Sequence, residues 1–193
     1  MATVILRPSS TIASGSFSDE ASSGSFSVAK INDSNNSTYV FNSNANQTFT
    51  VHMDDTSGLS GATFNNFVVT AIFQKHGGRG ADGSFDVNIG DASSATKFGS
   101  VSDTTFVTTN TIPTTISSSA IAFGGSISDS DVDDMRISVT TTDSSQVRFF
   151  ELYVTVDYTA VTGYGNAVNG VAAANISKIN GIATASISKV NGV

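Results

Sequence analysis

Up to about Tyr158 the chain is organised by apolar residues that recur at every second position. In "RFFELYVTVDY" the alternation places Phe150, Leu152, Val154, Val156 and Tyr158 on one face, and Phe149, Glu151, Tyr153, Thr155 and Asp157 on the other. That pattern predicts a half-buried strand. "TFTVHMD" turns Phe49, Val51 and Met53 inward, "SFDVNIG" does so with Phe85, Val87 and Ile89, and "MRISVTT" with Ile137 and Val139. "NNFVVTAIFQ" is apolar on both faces, as a central strand covered on both sides would be. Further strands are expected in "TVILRP", "GSFSVAKI", "STYVFNS", "TTFVTTNTI" and "AIAFGGSI", separated by turn-formers such as "NDSNNS", "DDTSGLSG", "HGGRGADG" and "TTDSS". No window sustains an apolar period of 3.6 residues. The expectation is an all-β, antiparallel, jelly-roll-like β-sandwich over residues 1–160, followed by an extended C-terminal tail over 161–193.

The tail has its own pattern. From Val168 it reads VNGVAAANISK, INGIATASISK, VNGV, an eleven-residue repeat. A helix is excluded because Ile176, Ile179, Ile182 and Ile187 are spaced 3, 3, 5, which scatters them around a cylinder, and each copy carries Gly and β-branched residues. An unbroken strand is excluded because an odd repeat sends equivalent residues to opposite faces. Asn169-Gly170, Asn180-Gly181 and Asn191-Gly192 are the natural places for the register to reset in turns. So few copies bury too little to stand alone. The apolar positions Val168, Val171, Ile176, Ile179, Ile182, Ile187, Val190 and Val193 are therefore expected to bind a partner chain or further copies of this one.

Composition narrows the function. The 193 residues carry a formal charge of −7, and only Lys178 and Lys189 are charged after Asp157. The tail is thus +2, and the body, with seven cations against sixteen carboxylates, is −9. Nucleic acid is excluded as a partner of such a body. There is no cysteine for a disulfide or thiolate metal site. "MATVILRPSS" is too short an apolar run for a signal peptide, and no stretch is long enough for membrane insertion.

Few residues offer chemistry. "GRGADG", Gly78 to Gly83, fits G-x-G-x-x-G, but a strand follows it where a phosphate-binding helix should begin, so it reads as a loop. Asp129, Asp131, Asp133 and Asp134 in "DSDVDD" are the candidate calcium ligands; an EF-hand would need Gly and Glu where Asp134 and Thr140 stand, so a solvated acidic turn is the expectation. His52, His76, Glu20 and Glu151 form no convergent acid–base set, and serine is too common for its nearness to a histidine to mean anything. The sequons at Asn46 and Asn175 are expected by chance in a chain this rich in Asn, Ser and Thr. No catalytic residue and no cofactor are expected. A sugar platform would stack on exposed Trp or Tyr; there is no Trp, and of Tyr39, Tyr153, Tyr158 and Tyr164 the pattern places Tyr153 outside.

The ending "KINGIA…ISKVNGV", the opening "ATVILRPSS", the segment "DSNNSTYVF" and the closing "MRISVTT…VRFFELYVTVDY" resemble structural virion proteins of tailed bacteriophages, particularly marine and aquatic ones built on jelly rolls. The resemblance implies a non-enzymatic protein made in the host cytoplasm and carried on the particle exterior. The role it implies is capsid decoration or a head fibre, anchored or oligomerised through the tail. The partners would be other virion proteins and further copies of the chain, with a host-surface glycan among the possible ligands. Two alternatives stand beside it: a tail-fibre or adsorption component, and a carbohydrate-binding β-sandwich module. The Ser/Thr/Asn-rich, net-negative exterior suits display at high local copy number.

Overall fold

A computed structural model describes residues 1–160 except 21–23, 43–45, 57–58, 60, 77–81, 103, 124–125 and 143–146, together with 178–179 and 182–183. Among these residues two antiparallel sheets face one another. The first contains β1 (Ala2–Leu6), β3 (Ser18–Asp19), β4 (Val40–Phe41), β6 (Thr63–Lys75), β10 (Thr114–Ser117), β11 (Ile121–Ala122) and β13 (Val147–Thr159). The second contains β2 (Pro8–Ala13), β5 (Thr48–Met53), β7 (Gly83–Gly90), β8 (Gly99–Val101), β9 (Val107–Thr108) and β12 (Arg136–Thr141). The orders are β10-β6-β13-β4-β3 and β2-β5-β12-β7-β8, so most neighbours come from distant parts of the chain. The all-β sandwich expected from the alternation is the fold observed.

Inward residues of both sheets meet in one core. Phe49, Val51 and Met53 of β5, Phe85, Val87 and Ile89 of β7, and Ile137 and Val139 of β12 are all fully buried, as the alternation requires. Opposite them, β6 contributes Phe67, Val69, Ala71 and Phe73. Phenylalanine rings tie the sheets together. Phe149 of β13 meets Phe49 at 5.5 Å and Phe85 at 4.7 Å, and Phe85 meets Phe73 at 4.8 Å. Each such side chain contributes about 2 kcal/mol on full burial, and the edge-to-face pairs add to it.

Four expectations are corrected. Phe149 lies in the core and not on the outer face, because Phe150 is an extra residue in β13: Phe149 pairs with Phe73, but Glu151 pairs with Ile72. The bulge shifts the alternation by one, so Phe149 and Leu152 both point inward. "GSFSVAKI" is not a strand. It holds a single 3-10 turn, Val28–Lys30, which carries Phe26 and Ile31 into the core. "DSDVDD" is a short helix, α1 (Asp129–Asp133), and not a bare turn. Ser128 caps it, accepting from Asp131 N at 3.2 Å while its own N–H donates to Asp131 Oδ2 at 2.9 Å. Only Val132 of its residues is buried, so one short helix leaves no apolar period to read. Finally, "STYVFNS", "TTFVTTNTI" and "AIAFGGSI" contribute two-residue strands only.

In the tail, β14 (Lys178–Ile179) and β15 (Ile182–Ala183) pair antiparallel, Ile179 with Ile182 and Lys178 with Ala183. The turn expected at Asn180-Gly181 lies outside the described residues, and the pair joins neither sheet of the sandwich.

Candidate functional site

β6 lines one edge of β13 throughout, but two different strands share the other edge. β4 pairs with Arg148 and Phe149, and β1 pairs with Val154 to Tyr158. Between them β13 has no strand partner on that side among the described residues. The gap is filled by the segment after the 3-10 turn, where Leu152 N donates to Ile31 O at 3.0 Å.

That segment, "NDSNNST", folds by its own side chains. Asp33 Oδ1 accepts from Asn35 N at 2.9 Å, Asp33 Oδ2 from Thr38 Oγ1 at 2.6 Å, and Asn35 Oδ1 from Ser37 N at 3.0 Å. These contacts replace the ladder bonds a strand would have made. Ser34 takes a left-handed φ of 57° at the bend. Asn32 Nδ2 ties the segment to Pro8 O at 2.6 Å.

The result is a cleft of about 280 Å³ on the outer face of the first sheet, lined by Ile5, Arg7, Ser34, Asn36, Ile72, Glu151 and Tyr153. Glu151 forms the floor and is 2% exposed. Its Oε2 accepts from Arg7 Nη1 at 2.7 Å and its Oε1 from Asn35 N at 3.1 Å. A carboxylate at that depth requires such partners, because desolvation without them is costly. The Arg7 guanidinium also lies over the Tyr153 ring, 5.3 Å from its centroid. Tyr153 is therefore on the outer face, as expected, but one ring face is already covered. Its hydroxyl and remaining ring surface line the cleft. The side chains of Ser34, Asn36 and Tyr153 have no hydrogen-bond partner among the described residues. Ile5, 54% exposed, supplies an apolar wall beside them.

A second Arg–Tyr pair lies on the same face, at the β4 end of β13. Arg148 sits over Tyr39, with 4.8 Å to the ring centroid, and donates from Nε to His76 Nδ1 at 2.6 Å. With the Gln74 amide assigned so that its oxygen faces the guanidinium, Arg148 Nη1 also donates to it at 3.1 Å. His76 packs on Phe41 at 5.0 Å. Burial first, and the Arg148 charge second, lower the His76 pKa, which keeps the ring neutral and able to accept.

The acidic residues of α1 do not share a centre. Asp129 and Asp133 each face Thr56 Oγ1 at 2.6 Å, Asp131 pairs with Lys97 at 2.7 Å, and Asp134 pairs with Arg136 at 3.1 Å and accepts from Ala92 N. Each is engaged by donors of the protein. His52 lies between Asp134, 3.6 Å from its Nε2, and Ser9, whose Oγ is 3.5 Å from its Nδ1. Gly83 opens β7, so the residue that would start a phosphate-binding helix starts a strand; the preceding positions 78–81 lie outside the described residues. Of the tail positions, Ile179 and Ile182 are paired with each other, while Val168, Val171, Ile176, Ile187, Val190 and Val193 lie outside the described residues. No helix among the described residues is long and apolar enough to cross a membrane.

Sequence reasoning found Tyr153 and missed its surroundings. Arg7 and Asn36 carried no motif, and Glu151 was read as an outer-face residue without a role. The signal that links them is the pairing of β1 with β13, which no local pattern contains.

No protein-family model matches the chain, and no curated protein matches it. Among solved structures, the chain is similar to the C-terminal CBM6 of LamC, a marine laminarinase from Zobellia galactanivorans. The two share 12% identity at a TM-score of 0.45, and the match covers 81% of this chain and all of that one.

Proposed function

We propose that this chain is a non-enzymatic, carbohydrate-binding β-sandwich whose ligand site is the cleft between β1 and β4. The observation that carries this reading is the cleft's make-up: unpartnered hydroxyl and amide groups on Ser34, Asn36 and Tyr153, beside the apolar wall of Ile5, around a neutralised Arg7–Glu151 pair. Sugars present a ring of hydroxyls around apolar C–H faces, and such a surface offers a partner to each. The pair cancels its own charge and the chain carries −7, which favours a neutral glycan over a polyanion.

Hydrolysis is not assigned. Glycosidases use two carboxyl groups across the scissile bond, and Glu151 is the only carboxylate among the described residues that line the cleft. Both of its oxygens are held by donors of the protein.

The test is calorimetric titration of the whole chain with neutral oligosaccharides of glucose, galactose, mannose and xylose. Binding by the parent, lost in Tyr153→Ala and in Asn36→Ala, is the expected result. Binding that survives both substitutions moves the site elsewhere.

A second reading concerns where the domain is used. The β14–β15 pair stands apart from both sheets, which supports a tail that engages a partner and not the sandwich. With the virion resemblance, this gives a particle-surface protein, in which glycan binding serves attachment to a host surface. Labelling intact phage particles with an antibody to residues 1–160 tests it.

A further inference from the structure

Building on the glycan reading, we propose that the ligand is a linear polysaccharide chain lying along β13, held by two stations, Tyr153 with Arg7 and Tyr39 with Arg148. Three observations carry this. The first is composition: each station is a tyrosine under a guanidinium, at 5.3 Å and 4.8 Å from the ring centroid. Each ring is thereby held in one orientation, so little side-chain freedom is lost when a ligand arrives. Neither phenol hydroxyl has a partner among the described residues.

The second is placement. Phe149 and Leu152 point into the core, so Arg148, Glu151 and Tyr153 all belong to the outer face of the same strand. Arg148 stands opposite Gln74, Glu151 opposite Ile72 and Tyr153 opposite Thr70. The bulge at Phe150 keeps both stations on this face: without the extra residue, Arg148 and Tyr153, five positions apart, would point to opposite sides. Phe150 itself packs against Tyr39 at 5.5 Å and is 4% exposed, so the bulged residue fastens the second station. Along β13, Arg148 and Tyr153 stand four steps of the β6 ladder apart, roughly 13 Å. That exceeds one sugar ring and suits a short run of linked rings.

The third is depth. The cleft at Tyr153 is about 280 Å³ and open, at the small end for a site that encloses its ligand. A single ring bound there would keep most of its surface in water. A chain reaching Tyr39 doubles the contacts for a single loss of translational freedom.

The experiment is calorimetry on the whole chain with neutral oligosaccharides of one to six residues, built from glucose, galactose, mannose and xylose. Affinity for the recognised sugar should climb at least tenfold between one and four residues and then level off. Tyr39→Ala and, as an independent variant that leaves the Phe150 contact in place, Arg148→Gln should each abolish the climb and leave the weak binding of the single sugar. Tyr153→Ala should abolish both. Equal affinity for monomer and hexamer, or a climb untouched by Tyr39→Ala and Arg148→Gln in variants that melt like the parent, overturns the two-station path and leaves the single cleft standing. Absence of binding across the whole panel overturns the glycan reading, and this inference with it.

Discussion

Arg7 and Glu151, 144 positions apart, meet in a 2.7 Å ion pair at the floor of the cleft, with Glu151 almost wholly shielded and Arg7 about one-third open to solvent. The relationship joins the link between β1 and β2 to β13. It is both structural and part of the proposed site.

Removing the guanidinium leaves a carboxylate buried with one backbone N–H as its only donor. Arg7→Met should cost about 2 kcal/mol, less than a fully buried pair because Arg7 is partly solvated. The double variant Arg7→Met/Glu151→Met should recover part of that loss, since no charge is then stranded. Urea unfolding of the three proteins decides it. A single variant as stable as the parent would show that water replaces the guanidinium without loss.

Lys97 bridges Asp91 and Asp131 and thereby ties the loop after β7 to α1. Its hydrogen bonds hold Asp131 at about 2 and Asp91 lower still, while the two carboxylates raise Lys97 to about 12. Both aspartates have folded-state values below the unfolded value near 4. Their contribution is therefore complete well above pH ~4 and is lost progressively as the pH falls through 4 towards their folded-state values. Lys97→Met should be less stable than the parent at pH 6, and the gap should narrow as the pH falls from 4 towards 2. Parallel stability curves across that range would remove the bridge from the account.

Thr56 Oγ1 faces both Asp129 and Asp133, and Thr56 N donates to Asp133 Oδ1 at 2.5 Å. Thr56→Val deletes the hydroxyl in a buried position and should cost about 1–3 kcal/mol. With Asp131 and Asp134 paired to Lys97 and Arg136, calcium should leave the melting temperature of the parent unchanged, and so should a chelator. A rise of many degrees on adding calcium would restore the four aspartates as a metal site.

Deletion of 161–193 should leave the sandwich folded, because β13 ends at Thr159 and the described tail residues pair only with each other. In an assembly assay the double change of Ile179 and Ile182 to Ser should be far more damaging than that of Lys178 and Lys189 to Ser. A buried isoleucine contributes about 1.5–3 kcal/mol, whereas exposed charges contribute little and are screened by salt. Loss of fold on truncation would make the tail part of the sandwich. A defect confined to the lysine variant, and mimicked by salt, would mean docking by charge.

Period-two alternation determined the fold class and the inward set on β5, β7 and β12, because which side of a strand faces the core is a local property of the pleat. Tertiary structure decided the rest. The bulge at Phe150 depends on how β13 is accommodated between β6 and β4, so the local pattern put Phe149 on the wrong face. The helix at Asp129–Asp133 exists because Val132 finds the core and Ser128 caps it, and five residues are too few for a period to show. The cleft is the clearest case. Arg7, Asn36, Glu151 and Tyr153 come from three separate segments, and what brings them together is that β1 and β4 divide one edge of β13 between them. Strand partnership across more than a hundred residues is set by the closure of the whole core, a quantity no window of sequence contains.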